Sequence, residues 1–488
     1  MFRKAATVGR LVISRRRMAP HATRRTVKAY SWSAQPPNKD SPAIVALTFA
    51  ALVAGASGCY YVSQSDQPAG AVPRISDFAS EKDVPVESPV KVFNLKEANA
   101  KLREQASTLL FDVKGGSRGR VDVVRLSSNN PVEDEWAVAV GKGVGGNETL
   151  YAGIYDGHAG WATSAVLRRA LIPYVSCAVG RVAASAEGEL IESAIKSAFN
   201  NLDTRIMNDA QRAADSDKEP GSADVIAAVA PSVSGSCALL SMYDPVLSVV
   251  RTAVTGDSRA VLGSWSSEVG KYAAEALSKD QTGFNQDEVD RLDKAHPGEI
   301  GDIVDTKSGR LLGIAITRAF GDNRWKWTED ALKSLQANYH GLEPRPRYKT
   351  PPYMTAEPEV TTRAVTTKDF VILASDGLWD VMSNDVAVAC VSRWLAAKKM
   401  QKSEAVPDMK SSYAVGEDGW PSHKSSPEFF AIEDLDNAAV CLVKNALGGA
   451  RRAMFCGAIT AYAPISRYVR DDMTVQVVFF HNPDDSTK

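Results

Sequence analysis

The stretch Thr149–Gly160, TLYAGIYDGHAG, sets the reading of the whole chain. Leu150 to Tyr155 is an apolar run of strand length. It stops at Asp156-Gly157-His158, where a carboxylate, a backbone without a side chain and an imidazole meet. Taken alone, Asp-Gly after an apolar strand signals a hairpin turn. Three further acidic clusters argue for a site instead. Glu133-Asp134 precedes the stretch, Leu373-Ala374-Ser375-Asp376-Gly377 ends another apolar run, and Arg470-Asp471-Asp472-Met473 opens a third. Carboxylates set repeatedly at the tips of apolar strands supply the hard oxygen donors that Mg²⁺ and Mn²⁺ prefer.

The chain has 488 residues and a formal net charge of -1, so nothing in its balance favours a nucleic-acid partner, which usually needs a basic surface. That balance hides an asymmetry. No acidic residue precedes Asp40, whereas Arg3, Lys4, Arg10, Arg15, Arg16, Arg17, Arg24, Arg25 and Lys28 are interspersed with Ser, Thr and Ala. Residues 1–42 read as a mitochondrial presequence, and the spacing of Phe2, Val8, Leu11, Val12 and Ile13 favours this over a basic arm for RNA or lipid. Residues 43–62, AIVALTFAALVAGASGCYYV, carry no charge and match the roughly 20 residues that cross a bilayer as a helix. They read as a transmembrane anchor or a cleavable sorting segment. The order of the two signals favours the mitochondrial inner membrane or intermembrane space, with the matrix as the alternative. Residues 63–93, rich in Ser, Pro, Asp and Gly, read as a linker, and 482–488 as a tail. The scattered Cys59, Cys177, Cys237, Cys390, Cys441 and Cys456 give neither a zinc pattern nor a disulfide framework, and read as small buried apolar side chains.

Asn94 with Glu97 three residues on forms a helix-capping signature, so 94–119 is read as a preceding helix and a connector. Strands are expected at Trp136 to Val140, Leu150 to Tyr155, Cys237 to Tyr243, Leu247 to Val254, Phe370 to Ala374 and Thr474 to Phe480. Helices are expected at Trp161 to Cys177, Glu189 to Ala213 and Asp287 to Lys294. Strands in bunches with helices in pairs argue for an α+β fold. The weakly patterned segments 326–353 and 398–427 read as surface excursions.

In chain order the acidic motifs are Glu133-Asp134, Asp156-Gly157-His158, Gly256-Asp257-Ser258-Arg259, Asp376-Gly377-Leu378-Trp379-Asp380 and Arg470-Asp471-Asp472. With SGSCALL at 234–240 and TRAFGD at 317–322, the sequence over residues 120–481 resembles the metal-dependent protein phosphatases of type 2C, the PPM family. It is most similar to the mitochondrial pyruvate dehydrogenase phosphatase branch through SNNPVED (128–134), TPPYMTAEPEV (350–360), NALGGARRAMFCG (445–457) and RDDMTVQVVFF (470–480). The resemblance implies an antiparallel β-sandwich flanked by helices on both sides, with a two-metal centre at one end. Asp156 would bridge two Mg²⁺ or Mn²⁺ ions, Asp376 and Asp471 would complete one sphere, and Glu133 with the Gly157 carbonyl the other. Asp134 would orient metal-bound waters, Asp380 and Asp257 match positions tied to a weaker third ion, and His158 matches the general acid. The implied reaction is hydrolysis of phosphoserine or phosphothreonine by metal-activated water.

The wider family places an arginine four residues before the glutamate to hold substrate phosphate. Here that substrate-binding position is Asn129, and Asp472 stands where many relatives have asparagine; both departures fit the pyruvate dehydrogenase phosphatase branch. The implied partner is a phosphoprotein, with pyruvate dehydrogenase E1α suggested, although a membrane anchor could place the domain across the inner membrane from it. The remaining histidines, His21, His296, His340, His423 and His481, read as surface or spacer residues. Competing readings are a catalytically weak phosphoprotein-binding regulator on the same fold and a two-metal hydrolase for another phosphoester.

Overall fold

Alternation along the apolar runs sends neighbouring side chains to two different layers, and the computed structural model has both layers filled. It describes residues 87–116, 118–404, 406–415 and 421–485. The presequence-like 1–42, the apolar 43–62 and most of the 63–93 linker lie outside the described residues. From Val92 onward the described chain forms one body. Its sandwich strands are β1 (Ser107–Phe111), β2 (Gly119–Leu126), β3 (Glu135–Lys142), β4 (Glu148–Tyr155), β5 (Ala238–Asp244), β6 (Val249–Thr255), β7 (Arg259–Ser266), β8 (Lys271–Ala276), β9 (Glu359–Ala364), β10 (Phe370–Ala374) and β11 (Met473–Phe479). One sheet has the order β1-β2-β11-β10-β7-β8 and the other β9-β6-β5-β4-β3. Every neighbouring pair in both sheets is antiparallel.

The core follows from the side-chain period of two. In β10, Val371 and Leu373 share the inter-sheet core with Val121 and Val123 of β2 and with Ala152 and Ile154 of β4. Phe370, Ile372 and Ala374 belong to the opposite face, packed with helices α1 (Leu95–Leu102), α7 (Asn384–Lys399), α8 (Ala438–Ala446) and α9 (Arg452–Thr460). In β4, Tyr151 and Tyr155 instead meet Leu167 and Leu171 of α2 (Ala162–Val179) and Phe199 and Leu202 of α3 (Gly188–Ala214). Helices therefore cover both outer faces, as the resemblance implies. Each fully buried Val, Leu or Phe in these layers contributes about 1.5–3 kcal/mol of transfer free energy, which lets polar strand ends be tolerated.

Several elements differ from the sequence reading, for physical reasons. β1 and β2 were not foreseen as strands, and they draw the 94–119 connector into the sandwich. β2 carries Arg120 and Asp122, which would ordinarily signal an exposed segment. Both are buried, joined by a 2.8 Å ion pair, with Asp484 accepting from the same guanidinium at 2.9 Å. The start of the 482–488 tail is thereby pinned, and the Asn482 N–H also donates to the Arg118 carbonyl. The 326–353 segment is not simply a surface excursion. It holds helix α6 (Glu329–Tyr339), capped by Thr328, after α4 (Ala223–Val233) and α5 (Gln286–Ala295) in chain order. Its Leu332, Leu335 and Tyr339 share a satellite core with Met207, Val225 and Val229. His296 is buried against Thr350 and Tyr353, and His423 contacts the Ala446 carbonyl and Arg451, so neither is a surface spacer. Cys237, Cys390 and Cys441 are buried as expected, whereas Cys177 is exposed. The Asn94–Glu97 capping box is present in full.

Trp394 joins the helical layer to the sheet: it is fully buried, donates its indole N–H to the Asp434 carbonyl at 2.9 Å and stacks on Phe479. Trp394→Ala is expected to lower the unfolding free energy by about 3–5 kcal/mol, read as a lower urea midpoint at unchanged slope. A midpoint close to that of the wild type would show that this layer does not hold the sheet.

Candidate active site

The acidic motifs lie at strand ends that the two sheets bring together. β4 runs into Asp156, β6 into Gly256-Asp257, and β10 into a helical turn, Asp376–Trp379. Asp471 and Asp472 immediately precede β11, and Glu133 and Asp134 precede β3. One carboxylate oxygen from each of Asp156, Asp257 and Asp376 lies within 4.8 Å of the other two. Glycine permits this crowding at two places. A Cβ on Gly157 would stand 2.3 Å from the Glu133 carbonyl oxygen, and one on Gly377 would stand 2.3 Å from the Asp472 carbonyl oxygen. Each Asp-Gly pair thus seats the backbone of another acidic motif directly against it.

Asp472 fixes the loop that carries Glu133. Its carboxylate accepts from the backbone N–H groups of Ser128, of Asn129 at 2.9 Å and of Glu133 at 3.0 Å. The Glu133 side chain accepts from Gly160 N–H at 2.7 Å and from the Asn129 amide at 2.8 Å. The Asn129 side chain is therefore engaged in holding Glu133. The Asp471 carboxylate accepts from Arg467 and from the Asp472 N–H, outside the three grouped oxygens. Asp380 lines, with Asp257, Asp376, Trp379 and Phe284, a cavity of about 580 Å³ opening from the acid group.

Burial and mutual repulsion push these carboxyls toward their protonated forms. Burial, then the charges of Asp134, Asp376 and Asp257, holds Asp156 well above the carboxylate range. Burial followed by Asp257 and Asp471 does the same to Asp376. Asp134 is pushed up to about 7, first by burial and next by Asp472, and Asp257 to about 6 mainly by burial. Glu133, Asp380 and Asp471 are also raised, chiefly by burial. Such a set is costly as bare anions at neutral pH, and a divalent cation relieves the repulsion. The buried Asp134 Oδ2 has no hydrogen-bond partner among the described residues. The all-oxygen donors and this orphaned atom fit a hard cation and its coordinated water.

His158 follows the Asp156-Gly157 pair, and its Nε2 lies 2.7 Å from Asp322 Oδ2. Burial lowers the imidazole pKa, but the charge and hydrogen bond of Asp322 outweigh this and leave it raised. Asp322 is buried, sits in left-handed backbone at φ 56°, and ends the TRAFGD motif. Its contact with His158 spans 164 positions, so the motif alone does not reveal it. The space they share requires Gly235, where a Cβ would fall 2.0 Å from His158 Nε2. Asp472 as a loop anchor was likewise invisible, since its partners are backbone N–H groups more than three hundred residues away.

Carboxyls with raised folded pKa values hold protons that the unfolded chain releases. Their contribution to stability is complete below the unfolded carboxylate range and is lost as pH rises through about 6 for Asp257 and about 7 for Asp134. In chelator, the melting temperature is expected to fall across that window, and Mg²⁺ or Mn²⁺ to restore it. Asp156→Asn is expected to flatten the fall by removing the most crowded charge. A pH-independent melting temperature in chelator would contradict this electrostatic picture.

The protein phosphatase 2C family matches residues 142–417. A protein phosphatase 2C homolog of Schizosaccharomyces pombe is 36% identical over 375 residues, covering 74% of this chain and 80% of its own. The mitochondrial pyruvate dehydrogenase (acetyl-transferring) phosphatase 1 of Saccharomyces cerevisiae is 34% identical over 432 residues, covering 80% of this chain and 73% of its own. Among solved structures, serine-threonine phosphatase 2C from Toxoplasma gondii aligns with 76% of this chain and 98% of its own at 16% identity and a TM-score of 0.44. With that family's acidic motifs converging at the ends of its paired sheets, the chain belongs to the protein phosphatase 2C family of metal-dependent serine/threonine phosphatases.

Proposed function

We propose that this phosphatase acts on a mitochondrial phosphoprotein, with the phosphorylated E1α subunit of pyruvate dehydrogenase as the substrate to test first. The observation that carries the catalytic reading is the convergence of Asp156, Asp257 and Asp376 to within 4.8 Å. In this reading Asp156, Asp376, Asp471, Glu133 and the Gly157 carbonyl would hold two Mg²⁺ or Mn²⁺ ions, and Asp257 with Asp380 a weaker third. When bound, the ions supply Lewis acidity toward the phosphoryl oxygens and an acidified water as nucleophile. The buried Asp134, whose Oδ2 has no partner among the described residues, would orient such a water.

The chain's own acid–base chemistry lies in His158. Held protonated by Asp322, its imidazolium is suited to give a proton to the departing serine or threonine oxygen, so that a poor alkoxide leaves as an alcohol. Asp322 fixes the ring by accepting from Nε2–H, which leaves Nδ1–H as the donor to the leaving group. The substrate assignment rests on the similarity to the yeast pyruvate dehydrogenase phosphatase and on Asn129 and Asp472, which fit that branch. The same similarity and the basic 1–42 segment support a mitochondrial address. An inner-membrane or intermembrane-space position depends on residues 43–62, which lie outside the described residues; among those described, no helix is long and apolar enough to cross a membrane.

The purified chain is expected to release phosphate from a phosphoserine protein with Mn²⁺ or Mg²⁺ and not in chelator. Asp156→Asn and Asp376→Ala should each lower the rate roughly a thousandfold, the equivalent of about 4 kcal/mol of lost transition-state stabilisation. A wild type that binds metal but is inert on several phosphoproteins would favour a phosphoprotein-binding regulator. For the proton donor, Asp322→Asn removes the charge that holds the imidazole up, so the alkaline limb of the kcat profile should move to lower pH on a phosphoserine substrate. With p-nitrophenyl phosphate, whose leaving group needs no proton, the limb should barely move. Equal shifts on both substrates would remove His158 from the role of acid.

A further inference from the structure

We propose that Arg467 is the side chain that grips the substrate's phosphoryl group, filling the charge role that Asn129 cannot. The inference rests on the phosphatase reading and deepens it. A phosphate monoester enters as an anion, and through the reaction the non-bridging oxygens of its phosphoryl group carry negative charge. A guanidinium fork meets such oxygens with two parallel N–H donors, which an amide cannot match in charge.

Among the described residues, four cations near the acidic motifs are already committed. Arg125 donates to the Asp134 carbonyl at 2.7 Å and to Gln105 at 2.7 Å, and pairs with Glu135. Arg470 is buried, with its donors on the Ser127 and Ala458 carbonyls. Arg259 is forked onto Asp280, bonded to Asn384 and laid over the Trp379 ring. Lys424 donates to the Asp380 carbonyl. Asn129 itself spends its amide on Glu133.

Arg467 is placed differently. It sits on the helical turn Ser466–Val469, one helical turn before Asp471, and its guanidinium contacts the Asp471 carboxylate while 45% of the side chain remains exposed. That turn is fastened to the loop of Asn129. The buried Ser466 hydroxyl donates to the Ser128 carbonyl at 2.5 Å, and the neighbouring Arg470 reaches the Ser127 carbonyl at 2.7 Å. Arg467 therefore stands, partly open to solvent, on a turn fastened to the loop where Asn129 replaces a cation. A guanidinium paired with Asp471, held by anchored backbone yet open to solvent, is set to receive a phosphoryl group delivered to the acid group.

The test uses the full chain loaded with Mn²⁺, as Arg467→Ala and Arg467→Lys. Three quantities are read: the affinity for inorganic phosphate by calorimetry, the KM for a phosphoserine protein, and the affinity for Mn²⁺. Losing a charged hydrogen-bond pair should weaken phosphate binding and raise KM roughly tenfold to a hundredfold in Arg467→Ala. Arg467→Lys should recover part of the loss, and Mn²⁺ affinity should stay level or tighten as a neighbouring cation is removed. Unchanged phosphate affinity in Arg467→Ala would overturn the proposal. So would a loss that vanishes at saturating Mn²⁺, since Arg467 would then serve Asp471 alone. Should the alanine variant fail to fold, judged by its urea midpoint, the lysine variant decides by the same two readings. Phosphate binding is measured without turnover, so a wild type without phosphatase activity would defeat the catalytic reading and still leave Arg467 open to this test.

Discussion

Mutual repulsion among carboxylates is the constraint around which this fold is built. Burial raises the pKa values of Asp134, Asp156, Asp257 and Asp376, and neighbouring carboxylates raise them further. A flexible chain would let such groups drift apart into water. Here the backbone prevents it, because Gly157 is packed against the Glu133 carbonyl and Gly377 against the Asp472 carbonyl. The two contacts tie the motifs of β4 to those before β3, and the motif after β10 to the one before β11. The free energy for this confinement comes from the apolar layers on both faces of each sheet, not from the site.

The same arrangement explains why the acids lie on strand ends while the residue that orients the proton donor and the one proposed to grip phosphate lie on turns. Strand ends are located by ladder pairing, and the antiparallel register of β10 with both β11 and β7 fixes three acidic motifs relative to one another. Asp322 and Arg467 instead belong to short turns fastened by a few hydrogen bonds. The Asp322 N–H donates to the Ser234 carbonyl, and Ser466 donates to the Ser128 carbonyl. Precise ion geometry needs the first kind of support, whereas different phosphoproteins can be accommodated by altering the second.

The central strands were legible because their apolar runs are continuous, and the acidic motifs because they interrupt those runs abruptly. β4 and β10 are the clearest cases. The strands without such a signal are polar on their face. β2 carries a buried Arg120–Asp122 pair that mimics a surface segment, and β8, KYAAEA, has the polar alternation of an edge. Helix α6 was obscured by the Pro- and Arg-rich residues that follow it, although its Leu332 and Leu335 keep helical spacing. At the site, the acids and His158 could be named from motifs, but the Asp322 and Asp472 contacts could not. They join residues 164 and more than 330 positions apart, and no local pattern encodes such pairings.

Asn129 shows how a single replacement redistributes work within a fixed scaffold. An arginine at that position would bring a positive charge beside Glu133 and Asp472. The amide gives Glu133 a hydrogen bond at 2.8 Å without that charge, leaving the carboxylate pair more negative. Asp472 adds to this, since its carboxylate replaces a neutral side chain and accepts three backbone N–H bonds from the loop. Both departures therefore act in one direction, strengthening the negative field on the Glu133 side of the site. A stronger field favours cation binding and disfavours a free phosphate anion, so the balance must be restored by a cation that enters from outside the loop. The solvent-facing guanidinium of Arg467, already paired with Asp471, meets that electrostatic demand without burying another charge.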